Sequence, residues 1–144
     1  MALHLRFLPL NHFDAGDNKC PAGPVIQRQV DRVATKNKCL FVFSNDIKRA
    51  RAAVTAPCVH YIDPGEVEIR HSFNEVHPIG DSHEVARDLA ALTMCHDLIT
   101  TCGTFGVMAA MLHAGNGSTY WWPQDPGLKT WKHYRLAQAW VPYA

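Results

Sequence analysis

An α/β fold with a Rossmann-like, doubly wound parallel sheet is what this sequence predicts, on three observations. Short apolar strand segments alternate with segments of helical period along the chain. One of them, Cys39-Leu-Phe-Val-Phe43, is apolar throughout, as a strand covered on both faces must be. Several strands also run directly into residues that turn the chain or cap a helix. The 144 residues suit one domain with an ordinary core. With 47% hydrophobic and 19% charged residues, a disordered tail or a basic nucleic-acid arm is excluded. The formal net charge of +1 provides no global field, so neither nucleic acid nor a membrane surface is an expected partner. A local phosphate site needs only a few oriented groups and stays open.

The elements follow in order. Leu3 to Phe7 alternates like a strand, and Pro9 to Pro24 is a loop by composition. Val25, Ile26, Val30, Val33 and Ala34 recur at helical spacing. After the strand at 39–43, Ser44 or Asp46 is placed to cap a helix over 47–54. Cys58 to Ile62 reads as a strand, and 63–80 as a long aperiodic loop. Asp81 or Ser82 caps a helix to about 95, with Val85, Ala86, Leu89, Ala90, Leu92 and Thr93 forming its apolar stripe. Asp97 to Thr101 is a strand, Gly103-Thr-Phe-Gly106 a turn, and Val107 to His113 an apolar helix ended by Gly115 to Gly117. Ser118 to Trp122 is the last strand, followed by an aromatic tail. The uncharged run from Leu98 to Leu112 falls short of the roughly 20 residues a spanning helix needs.

In an open parallel sheet, ligands bind beyond the carboxyl ends of the strands. Three such ends carry suggestive residues: His4-Leu-Arg6, Ser44-Asn45-Asp46, and Thr101-Cys-Gly-Thr104-Phe105. The third offers glycines for a sharp turn, a hydroxyl on Thr104 and the backbone N–H groups of a helix start, which together suit an anion. Arg6 would clamp a pyrophosphate in bidentate fashion. Asp46 or Asp88 would accept from a sugar hydroxyl or a base amine, and Asp88 falls near an apolar stripe where an unpaired carboxylate is costly. Each residue also has an ordinary structural role: a salt-bridged arginine, a helix cap, a plain turn. The nine histidines invite a metal, but there is no HExxH, and the intervals of six between His71, His77 and His83 suit neither a helix nor a strand face. No metal is expected. The five cysteines form no CxxC pair, and Cys39, Cys58, Cys95 and Cys102, all in apolar segments, are expected as buried free thiols, with one disulfide of unreadable pairing open in an oxidising compartment. Asn116-Gly-Ser118 fits the N-glycosylation pattern and also a turn.

The stretch from Asp88 to Leu112, with DLAALTMCHDLITTCGTFGVMAAML, closely resembles the donor-binding motif of the galactoside α-1,2-fucosyltransferases. Phe41-Val-Phe-Ser-Asn-Asp46 resembles that family's strand ending in Ser-Asp-Asp or Ser-Asn-Asp, and His4-Leu-Arg6 the start of its His-x-Arg-Arg-Gly-Asp motif. The segment from Tyr120 to Pro142 is similar to its tail. The resemblance covers nearly the whole chain in the right order. It implies the donor-binding half of a GT-B-like glycosyltransferase, transferring L-fucose from GDP-fucose to a galactoside hydroxyl in α-1,2 linkage, with inversion and without a metal or other cofactor.

By the same resemblance Arg6 would hold the diphosphate, and His4 would belong to the donor site. Asn45 and Asp46 would lie at the nucleotide, Asp88 would contact the guanosine part, and Thr104 and Phe105 would approach the phosphates. The partners implied are GDP-fucose and a galactose-terminated glycan, and the compartment implied is the lumenal side of the Golgi membrane. After Arg6 the chain continues Phe-Leu-Pro, so the motif's second arginine and acidic residue are absent. The family's upstream, acceptor-side half is expected to be missing, leaving residues 1–144 as one donor-binding domain prone to self-association. Such a half-site can hold a nucleotide yet fail to position an acceptor. Three readings follow: a fucosyltransferase, an inactive nucleotide-sugar-binding remnant, or an α/β interaction module with no ligand. No catalytic base is identified.

Overall fold

A computed structural model describes residues 1–5, 20–35, 38–62, 82–113, 117–122 and 140–143. Its strands are β1 (Ala2–Leu5), β2 (Leu40–Ser44), β3 (Val59–Ile62), β4 (Leu98–Thr100), β5 (Thr119–Trp121) and β6 (Trp140–Pro142). Its helices are α1 (Gly23–Val33), α2 (Ile47–Ala53), α3 (Ser82–Met94) and α4 (Thr104–Leu112). The six strands form one sheet in the order β3-β2-β1-β4-β5-β6. Every pairing is parallel. The order reverses between β1 and β4, and this is the predicted Rossmann-like α/β architecture.

Alternation along the strands sorts the side chains onto two faces. Leu3, Leu5, Leu40, Val42 and Ile99 pack with Ile26, Val30 and Val33 of α1 and Ala50 of α2. Ala2, Phe43 and Leu98 pack on the other face with Leu92 of α3 and Ala109 of α4. Both faces of β1 and β4 are therefore covered, and β2 is covered except at the exposed Phe41, which is why these strands read as apolar runs. In α1 the buried positions Ile26, Gln29, Val30 and Val33 follow the helical period, and Pro24 stands in the first turn, where its missing N–H costs nothing. The α2 cap is Asp46, whose carboxylate accepts from the Arg49 N–H at 2.9 Å. Gln27 fastens α1 to the end of α2: its side chain donates to the Thr55 carbonyl at 2.9 Å and accepts from the Thr55 N–H at 2.8 Å.

Three expectations need correction. The stripe on α3 is narrower than its spacing suggests. Leu92 is fully buried and Leu89 and Ala91 pack on the core, whereas Val85, Ala86 and Ala90 are exposed. The α4 helix begins at Thr104, so Phe105 and Gly106 belong to its first turn and not to a turn before it. A sixth strand, Trp140–Pro142, runs beside β5 within what reads as an aromatic tail. It is an edge strand, where proline's missing N–H interrupts no inner ladder. The expected loop 63–80 and the segment 6–19 lie outside the described residues.

Candidate functional site

All the strands are parallel, so all their carboxyl ends meet one edge of the sheet, and β1 and β4 flank the reversal there. Beyond β4 the chain passes through the fully buried Thr101, then Cys102, and reverses at Gly103. Gly103 has φ 89°, a left-handed conformation that a side chain would strain. As N-cap of α4 it makes no side-chain cap bond, and its carbonyl accepts from the Val107 N–H at 3.2 Å. Gly103 has no side chain of its own to lay across the first-turn N–H groups, and the positive end of the α4 dipole lies at this edge, an arrangement suited to an anion.

Gly106 sets how closely α4 approaches the sheet. A Cβ at this position would stand 2.9 Å from His4 Nδ1 and 3.6 Å from Thr100 Cβ. Its absence lets the first turn settle onto β1 and β4, and the Phe105 ring packs 5.2 Å from the buried His4 ring. Side chains tie the same strand ends together. Thr101 Oγ1 donates to the His4 carbonyl at 3.1 Å. Tyr143, just past β6, donates from its hydroxyl to the Thr100 carbonyl at 2.9 Å, and its N–H donates to the Trp121 carbonyl at 3.1 Å.

The structure brings some of the nominated residues together. His4 and Phe105 are in contact, and Thr104 opens the helix between Gly103 and Phe105. Asn45 and Asp46 follow β2, the strand beside β1, at the same edge. Asp46 is already engaged as the α2 cap, and Ser44 Oγ accepts from its N–H at 3.1 Å. Asp88 is half-buried on α3, where Arg87 Nη2 and Nε donate to its Oδ1 at 2.9 and 3.1 Å. That pairing explains how a carboxylate is tolerated near the apolar stripe. Arg6, Asn116, His71 and His77 lie outside the described residues. A groove of about 400 Å³ between α1 and α2, lined by Gln27, Arg51 and Thr55 among others, includes none of the nominated residues.

The expectation of free thiols at Cys39, Cys58 and Cys102 is wrong. Cys20 is joined to Cys102, and Cys39 to Cys58. Only Cys95 is a free thiol, half-buried, and its burial pushes its pKa up. Pairing was invisible because it depends on strand register. Leu40 faces Val59, so Cys39 and Cys58 stand opposite each other just before β2 and β3, with Cα atoms 4.6 Å apart. Sγ of both and a ring nitrogen of His60 lie within 4.8 Å of one another, but the two sulfurs are bonded to each other. Thr101 and Tyr143 were also missed. A threonine among apolar residues and a tyrosine after a Trp-Val-Pro run carry no local signal of a bridge between strand ends.

A parallel sheet that reverses between β1 and β4, with a glycine-capped helix start beyond β4, defines the class: a Rossmann-like α/β domain. Within that class the particular family is plain. Residues 25–141 match the model of glycosyl transferase family 11, and the chain belongs to this α-1,2-fucosyltransferase family. No curated protein and no solved structure matches the chain.

Proposed function

We propose that the carboxyl edge of the sheet is a GDP-fucose site, and that the chain serves transfer of L-fucose to the 2-hydroxyl of a galactose-terminated glycan. The observation that carries this reading is the junction of β4 and α4. Gly103, an N-cap with no side chain, places the start of α4 directly beyond β4 at the carboxyl edge, within the span that matches glycosyl transferase family 11. As the acceptor oxygen bonds to the anomeric carbon from the opposite face, the bond to the β-phosphate oxygen breaks. The electron pair leaves with GDP, and the hydroxyl proton passes to a base, for which no residue is assigned. Negative charge develops on the diphosphate, and the α4 N-terminus together with the Arg6 guanidinium would stabilise it without a metal. His4 and Phe105 would floor the phosphate site, Asn45 and Asp46 would face the nucleotide beyond β2, and Asp88 the guanosine part. The two disulfides suit an oxidising lumen such as the Golgi. Among the described residues, no helix is long and apolar enough to cross a membrane.

A binding-only role is the second reading, favoured by Phe7-Leu8-Pro9 standing where the family motif continues Arg-Gly-Asp. Calorimetric titration with GDP, with UDP as control and Arg6→Ala beside it, tests the donor site. Saturable binding of GDP over UDP, weakened in the variant, is expected. No binding by the folded chain refutes the donor reading. A radiolabelled fucose transfer assay to lactose then separates enzyme from binder.

A further inference from the structure

The two disulfides occupy opposite edges of the sheet. Cys39–Cys58 joins the residues just before β2 and β3, at the amino edge. Cys20–Cys102 is at the carboxyl edge, inside the candidate donor site. Cys102 is buried, directly between Thr101, which bonds β4's end to the His4 carbonyl, and Gly103, the hinge and cap of α4. Its partner Cys20 is two residues before the α1 cap at Ala22, with the two Cα atoms 5.1 Å apart. The bridge therefore fastens the approach to α1, which covers one face of the sheet, to the residue just before the cap of α4, which covers the other.

We propose that Cys20–Cys102 is a positioning element of the donor site, holding the Gly103 hinge in the arrangement that binds the diphosphate, so that its reduction weakens donor binding. Gly103 has no side chain to fix its own torsions, and a left-handed glycine is one of several states open to that residue. Thr101 fixes the chain on one side of the hinge through its bond to β1. On the other side Phe105 and Gly106 rest on His4. The residue between is fixed by the disulfide. Without it, the segment from 101 to 104 retains its ends but loses a covalent constraint beside its most flexible position. If the competent arrangement is then populated about one tenth of the time, apparent donor affinity falls about tenfold.

This inference rests on the donor reading, and its test separates the two. The whole oxidised chain is titrated with GDP, then treated with dithiothreitol. Each protein disulfide takes two electrons and two protons from the reagent, giving two thiols and one cyclic oxidised dithiothreitol. Exposed thiols are alkylated and the peptides weighed. Coupling between two sites is reciprocal, so saturating GDP must protect Cys20–Cys102 from reduction at equilibrium by the same factor, about tenfold, by which the disulfide improves GDP binding. Cys39–Cys58 should show no GDP protection. The Cys20→Ala/Cys102→Ala pair, titrated below its melting transition, should lose about tenfold in GDP affinity, and Cys39→Ala/Cys58→Ala less than twofold. A purely stabilising bridge would shift melting without altering either ratio. Equal GDP affinity in the two double variants, or no selective protection, overturns the proposal and leaves the donor reading standing. Failure of the oxidised chain to bind GDP overturns both. The protection measurement uses the unmodified chain, so it decides the matter even where a variant does not fold.

Discussion

The two edges of the sheet are built on opposite principles. At the amino edge, polar groups are consumed by one another. The buried Asp97 takes Lys38 Nζ at 2.8 Å, His96 Nδ1 at 3.0 Å and the Ser118 N–H at 3.1 Å, while its own carbonyl accepts from the Ala2 N–H at 2.8 Å. His113 bridges the Cys95 carbonyl and Thr119, each at 2.8 Å. At the carboxyl edge the bonds between strand ends run through Thr101 and Tyr143, and the helix that starts there has a glycine as its cap. Charge balanced internally locks an edge. A helix start without a side-chain cap leaves a dipole for a ligand to complete. The difference separates an edge closed by its own charges from the edge that carries the proposed donor site.

The comparison breaks most severely at Asp97. Asp97→Ala strips Lys38 of its partner and the Ser118 N–H of its acceptor, and should cost about 3 kcal/mol in urea denaturation. GDP affinity of the remaining folded protein should not change, and a parallel loss of affinity would show that the edges are not independent. Acid tests the same edge more gently. Burial alone would raise the Asp97 pKa, but the hydrogen bonds from Lys38, Ser118 and His96 outweigh it and bring the value from an ordinary 3.8 down to about 2. The carboxylate's contribution is therefore complete above about pH 4 and is lost as the pH falls toward 2, about 2 kcal/mol in all. Denaturation midpoints measured across pH 2–5 should fall in the native chain, and this component should be missing in Asp97→Asn.

Two smaller effects address the other edge. Gly106→Ala puts a methyl group against the His4 ring and should cost about 1.5 kcal/mol of stability. GDP affinity should drop as well, because α4 must lift from β1 and carry its N-terminus with it. Asp46→Ala removes the α2 cap, worth about 1 kcal/mol, while Asp46→Ser keeps one. If Asp46 also faces the nucleotide, both variants weaken GDP binding while only the alanine lowers the melting temperature.

Most of the sheet was legible because its inner strands are buried on both faces except at Phe41. Leu40 to Ser44 and Leu98 to Thr100 are apolar runs whose ends the sequence marks within a residue or two. Strand β6 was illegible for the converse reason: three residues ending in a proline at an edge carry neither length nor alternation. The start of α4 was misplaced because Gly106 reads as a helix breaker, whereas its real constraint is the His4 ring, more than a hundred residues earlier in the chain. Of the site, the strand-end residues His4, Asn45 and Asp46 and the helix start at Thr104 and Phe105 could be nominated from topology alone. The Cys20–Cys102 bridge and the Tyr143 hydroxyl could not, because both depend on distances between segments far apart in sequence.

The central claim is that the carboxyl edge, and only that edge, takes the nucleotide. Backbone amide chemical shifts of the isotope-labelled chain, followed while GDP is added, test it most directly. The account predicts saturable changes at Gly103, Phe105, Gly106, Asn45 and His4, with His96, Asp97 and Ser118 unmoved. Shifts concentrated at the amino edge, or none at concentrations where calorimetry shows binding, would contradict it.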